Sequence, residues 1–168
     1  MEDTTSETFR IFVKWLYTQK LSSLHQREHP KGIRTLEELD PHELKCIEDT
    51  KSLLGLWVLA EKLLIPRLQN EIMDVLGRIR VTCLACVSAF CFKLQYIYDN
   101  TTDESVLRRF VVDVIAWAEE GMDYRIDPGL FPKAFLLDLA TVFSAGVDPR
   151  IAARRLDGLD MADYHVEE

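Results

Sequence analysis

The chain has 168 residues, 48% of them apolar and 29% charged, with only 7 Gly and 6 Pro; this excludes the disordered and collagen-like classes and leaves room for one domain with a sizeable core. Its 28 acids outnumber its 20 bases, giving a net charge of -8, and residues 103–168 hold 14 of those acids but 7 of the bases. An acidic C-terminal part repels phosphate backbones and offers no polybasic patch to anionic lipid, so neither nucleic acid nor membrane is expected as a partner.

No basic stretch followed by an apolar run marks a secretory signal, and no apolar run approaches the roughly 20 residues that a bilayer span needs. The expectation is an intracellular chain, cytoplasmic or nuclear, whose four cysteines are free thiols rather than a disulfide framework.

In chain order, Thr4 and Glu7 stand at capping-box spacing before Phe9, Phe12, Val13, Leu16 and Tyr17, which recur at helical period. Ile11 and Trp15 lie four apart on a neighbouring face, so this first helix is expected to pack on two sides. From Gln19 to about Asp40 the period disappears among Ser22, Ser23, His25, His29, Pro30 and Gly32, which reads as an exposed insertion. Asp40-Pro41 with Glu43 signals a helix start, and one or two helices are expected from there to Leu64, buried nearly all round because Leu53 through Leu64 leave little polar surface.

Pro66 can open the next helix after a tight corner, with Leu68, Ile72, Val75, Leu76 and Ile79 inward. Residues Leu84 to Tyr98 show Val87, Phe90, Cys91, Leu94 and Ile97 at helical spacing, and Thr101 with Glu104 is expected to cap a further helix carrying Leu107, Phe110, Val111, Val114 and Trp117. Asp127-Pro128-Gly129 reads as a turn, Pro132 as the start of a helix with Phe135, Leu136, Leu139, Ala140 and Phe143 inward, and Asp148-Pro149 as the start of a last short helix before an acidic tail.

Two runs carry a resemblance. The segment Thr8 to Leu21 contains Trp15-Leu16-Tyr17-Thr18 after Phe9, and the segment Leu53 to Glu71 contains Leu59-Ala60-Glu61-Lys62-Leu63-Leu64-Ile65-Pro66. Together with Ile97 to Thr101, Leu107-Arg108-Arg109, Val112-Asp113, Phe135 to Leu139 and Tyr164-His165, they make the chain resemble the BTB/POZ domain of fungal proteins.

That resemblance implies an all-α fold, the helical half of a BTB/POZ-like domain with a C-terminal helical extension. Residues 1–82 would form the partial BTB/POZ-like region, with its insertion at about 19–40, and residues 83–168 the extension packed as part of the same domain. Met1 would fall after the family's N-terminal strand and dimer-forming helix, and the cullin-binding segment of some members would lie in the absent part, so cullin binding is not expected.

The implied function is a noncatalytic protein-protein interaction module. The alternatives are a fragment of a transcription- or chromatin-associated BTB factor, or the nonfunctional product of an incomplete gene model. Phe9, Phe12, Trp15 and Leu16 are the expected interaction residues, because in the family they would pack partly against the missing elements. They would mediate binding to a protein partner or self-association through the N-terminal helix. Trp15 is expected to contribute exposed surface, being three residues and roughly 300° around the helix from Phe12.

No residue cluster declares a catalytic chemistry, and no enzyme activity, cofactor or metal is expected. Cys83 and Cys86 could begin a zinc site, but no second ligand pair follows and their spacing, with Cys91, reads as buried small hydrophobes. His25 and His29 lie in the polar insertion beside Pro30 and read as solvated. Glu119, Glu120 and Asp123 read as an acidic rim, and Arg108-Arg109 and Arg154-Arg155 as intrachain ion pairs or solvated faces rather than a phosphate track. Trp57 and Trp117 read as core anchors. Neither a phosphate-binding glycine loop, nor a nucleophile elbow, nor a His-Glu-x-x-His helix occurs.

Overall fold

Pro41 opens the helix around which the others assemble. In the computed structural model, which describes residues 5–21, 41–82, 87–116, 128–144 and 160–167, that helix runs without a break over Pro41–Lys62 (α2) after α1 at Ser6–Thr18. It is followed by α3 at Pro66–Thr82, α4 at Val87–Asn100, α5 at Val106–Ala116 and α6 at Lys133–Ser144, with single 3-10 turns at Pro128–Leu130 and Met161–Tyr164. Among the described residues the fold is all-α, with no strand. Among the described residues no helix is long and apolar enough to cross a membrane.

α2 is central because its apolar residues do not keep to one face. Leu53 through Ala60 contains seven consecutive buried side chains once Gly55 is set aside, and α1, α3 and α4 all pack against the helix. Gly55 allows α1 to approach: a Cβ there would lie 3.1 Å from Thr8 Oγ1, and that hydroxyl faces the Ser52 carbonyl at 3.4 Å. α5 packs on α4 and α6, so the sheetless core is continuous from Trp15 through Trp57 and Phe90 to Phe135.

α2 ends at Lys62 rather than Leu64, and Leu63 and Leu64, expected to be buried, are exposed because the chain turns there; the corner between α2 and α3 is a Schellman motif. The Ile65 N–H donates to the Ala60 carbonyl at 2.9 Å and the Leu64 N–H to the Glu61 carbonyl at 3.0 Å, with Leu64 in the left-handed region at φ 55. Pro66 then occupies the first helical position of α3, where no N–H is needed.

Two expected caps move. Thr5, not Thr4, caps α1, its hydroxyl accepting from the Thr8 N–H at 3.2 Å, while Glu7 is taken by Arg10 at 2.6 Å. Thr101 does not cap α5; its hydroxyl donates back to the Ile97 carbonyl at 2.6 Å, and the helix begins at Val106, where the Ser105 carbonyl accepts from the Arg109 N–H at 3.2 Å. The reason is Arg108, which claims the loop. Its guanidinium donates to the Tyr98 carbonyl at 2.8 Å, to the Thr101 hydroxyl at 3.0 Å, to the Thr101 carbonyl and to Asp103 at 2.6 Å, gathering the carbonyls left over at the end of α4.

Tyr98 stands edge-on to Phe135 with centroids 6.0 Å apart, and Phe131 stacks on Phe135 at 5.9 Å, which anchors α6 to α4 by a narrow stripe: Phe135 and Leu139 are buried, whereas Leu136, Ala140 and Phe143, expected inward, are exposed. The Tyr98 hydroxyl donates to Asp138 at 2.6 Å. The insertion from residue 22 to 40, Cys83, Cys86, Trp117, Glu119, Glu120, Asp123, the start at Asp148-Pro149 and Arg154-Arg155 lie outside the described residues.

Candidate functional site

α1 carries two apolar stripes, and only one is used. Thr8, Ile11, Phe12 and Trp15 follow helical spacing and turn toward the core, with Trp15 only 4% exposed. The indole N–H of Trp15 donates to Glu71 of α3 at 2.9 Å, and Arg67 holds the other oxygen of that carboxylate at 3.2 Å. The expectation that Trp15 offers exposed surface is therefore corrected. Its polar edge finds a fixed acceptor on α3, so the ring is buried without leaving a donor unpaired.

The other stripe faces water. Phe9 is 52% exposed, Leu16 47% and Tyr17 86%, with Val13 half-buried between them. At roughly 100° per residue these four side chains fall within a single arc of about 100°. Phe12, half-buried, bridges the two stripes, its ring 6.3 Å from that of Phe9. Arg10 and Lys14 are exposed on the far flank of the apolar arc. The hydrogen bond from Arg10 holds the Glu7 carboxyl below its usual range. Of the four expected interaction residues, Phe9 and Leu16 thus lie on the open stripe, Phe12 on its border and Trp15 inside. Val13 and Tyr17 complete the stripe; their apolar character at the same period was the signal for them.

A second arrangement formed by the C-terminal segment lies across α3 and α5. The Asn70 side chain donates to the Val166 carbonyl at 3.0 Å and accepts from the Val166 N–H at 2.8 Å. Tyr164 is buried, edge-on to Phe110 with centroids 5.3 Å apart, and its hydroxyl donates to Asp113 at 2.6 Å. Burial first, and the Asp113 carboxylate second, push this phenol well above its ordinary value.

Arg109 lies over the Tyr164 ring at 5.3 Å and donates to the Asp163 carbonyl. The His165 imidazole meets Asp74 at 2.9 Å. Met161 rests on Gly77, where an added Cβ would lie 2.8 Å from Met161 Cγ. The Tyr164-His165 ending is marked in the sequence as packing back onto the domain, but the bed that receives it is hardly legible there. Gly77 inside a helical run marks a close approach, but nothing distinguishes Asn70 from any surface amide.

Arg108 and Arg109 are thus engaged within the chain rather than aligned as a phosphate track. Cys46 and Cys91 are buried and form no disulfide, and among the described residues no three His, Cys, Asp or Glu side chains gather as a metal site needs. Comparison with protein-family models, with curated proteins and with solved structures finds no match to this chain.

Proposed function

We propose that this chain is a noncatalytic protein-interaction module that docks a partner along the outer face of α1. The observation that carries the reading is the stripe of Phe9, Leu16 and Tyr17, large apolar side chains left in water on a helix whose other face is already fixed to the core through Trp15. Contiguous exposed aromatic and aliphatic area of this kind gains free energy when another surface covers it. Aromatic anchors are also enriched where interfaces concentrate their binding energy.

The resemblance of Thr8 to Leu21 and Leu53 to Glu71 to the fungal BTB/POZ domain supports an adaptor role of this kind. With Arg10 paired to Glu7, the exposed Lys14 on the flank favours a partner with an acidic group beside its apolar surface. A photo-crosslinking amino acid in place of Tyr17 tests the proposal. Irradiation in cells should give a discrete adduct, either a second copy of the chain or a different protein by mass, and Leu16→Glu should abolish it. An adduct no stronger than from an exposed position outside α1, or one indifferent to Leu16→Glu, would overturn the reading.

A further inference from the structure

The C-terminal segment is held as a bound peptide is held. We propose that its bed between α3 and α5 is a receptor for an extended, tyrosine-bearing segment of a partner protein, a place that residues 160–167 of the chain itself occupy in cis. This goes beyond the docking face on α1 and shares no residue with it.

Asn70 pairs with both the N–H and the carbonyl of Val166. This two-point contact reads the main chain of an extended residue and nothing of its side chain. His165, just before it, has the extended geometry the pairing needs, at φ -80 and ψ 147. Arg109 likewise takes a main-chain carbonyl, that of Asp163.

Side-chain selection is concentrated in one slot. The Tyr164 ring lies against Phe110 and beneath Arg109, and its hydroxyl meets Asp113 at 2.6 Å. A phenylalanine would fill the same slot but leave the Asp113 carboxylate without that donor, so the slot prefers tyrosine. Asp74, half exposed, favours an imidazole or a cation at the next position. Gly77 leaves room upstream for a long apolar side chain such as that of Met161.

None of these contacts depends on the covalent connection between the segment and α6. A partner segment with a tyrosine, then a basic or imidazole residue, then an apolar residue presents the same groups, and it competes with the tail by mass action.

A fluorescent peptide of residues 160–167 titrated into the full chain tests this. Against Tyr164→Ala, whose own tail has lost its anchor, it should bind about tenfold or more tighter than against the wild-type chain, where the tail competes. Asn70→Ala on the Tyr164→Ala background, or phenylalanine for tyrosine in the peptide, should weaken that binding several-fold. Absence of saturable binding to a folded Tyr164→Ala chain overturns the inference, as does binding indifferent to Asn70→Ala.

If circular dichroism shows Tyr164→Ala unfolded, Val166→Pro, which keeps the Tyr164 ring and removes the main-chain donor to Asn70, takes its place. Failure of both variants to fold would make the segment an integral part of the core and equally overturn the proposal. A wild-type dimer that Tyr164→Ala dissolves would identify a second copy's tail as the occupant, and so overturn the assignment to a separate partner.

Discussion

Arg108 shows how much a single buried cation can organise. Its guanidinium spans the Tyr98 carbonyl, both oxygens of Thr101 and Asp103, and lies 4.4 Å over the Tyr98 ring. Removing it strands several acceptors at once, so Arg108→Ala should cost about 2–4 kcal/mol in urea unfolding with the m-value unchanged. Arg108→Lys should recover only part of that, because a single ammonium cannot match the planar fork. For Arg108-Arg109 the sequence left an ion pair and a solvated face equally open, and the carbonyl partners were not readable there. Those depend on how the loop after Asn100 turns back, which no side-chain pattern encodes.

The two buried tyrosines set the behaviour in alkali. Burial first and a carboxylate second, Asp138 for Tyr98 and Asp113 for Tyr164, raise both phenols above the ordinary value of 10.0. A folded-state value above the unfolded one means that the stabilisation is fully present below pH 10 and is lost as the pH climbs from there toward the folded value. Urea midpoints should therefore hold level up to about pH 9 and fall above pH 10. Tyr98→Phe should begin from a lower midpoint but show a shallower alkaline decline. An identical decline in both chains would show that Tyr98 is not responsible.

At the scale of elements, the end of α2 carries a residue that its backbone does not favour. Leu64 sits at φ 55, 85% exposed, at the Schellman position where glycine is usual. Because a branched side chain in this conformation costs roughly 1–2 kcal/mol, Leu64→Gly should stabilise the chain by about 0.5–1 kcal/mol after the greater freedom of glycine in the unfolded state is counted. Thermal unfolding would register this as a higher Tm. Pro66 made the corner legible in the sequence, while the left-handed residue was not, since leucine carries no turn signal.

α1 was legible as a helix but not in its orientation. Its period placed the more apolar residues, Phe9, Phe12, Val13, Leu16 and Tyr17, on one stripe, yet the fold buries Thr8 and Trp15. A close approach at Gly55 and the indole bond to Glu71 decide the matter, and both are tertiary facts. The two faces should respond oppositely: Trp15→Ala is expected to cost about 3–5 kcal/mol, whereas Leu16→Glu should change stability by only about 0.5 kcal/mol. Comparable losses from both would mean that Leu16 is also covered.

At the scale of the whole molecule, one apolar cluster joins every described helix and the C-terminal segment, with Trp15, Trp57, Phe90, Phe110, Phe135 and Tyr164 all in it. α3 is where the two ends of the chain meet this cluster: Glu71 fixes Trp15, while Asn70 and Asp74 receive the tail. Helices connected in this way leave no seam between them that opens cheaply, whether or not the tail is displaced, so the buried thiols of α2 and α4 report global unfolding. Cys46 and Cys91 are both buried, and burial pushes the Cys91 thiol up to about 11, which leaves almost no thiolate at neutral pH. With Cys83 and Cys86 replaced by serine, a disulfide reagent should therefore label the native chain only through opening. The labelling rate should rise with urea along the slope of global unfolding, and tryptophan fluorescence and far-ultraviolet circular dichroism should give coincident transitions. Rapid labelling of the native protein, insensitive to denaturant, would show that α2 or α4 opens by itself, and the continuous core would then be divisible.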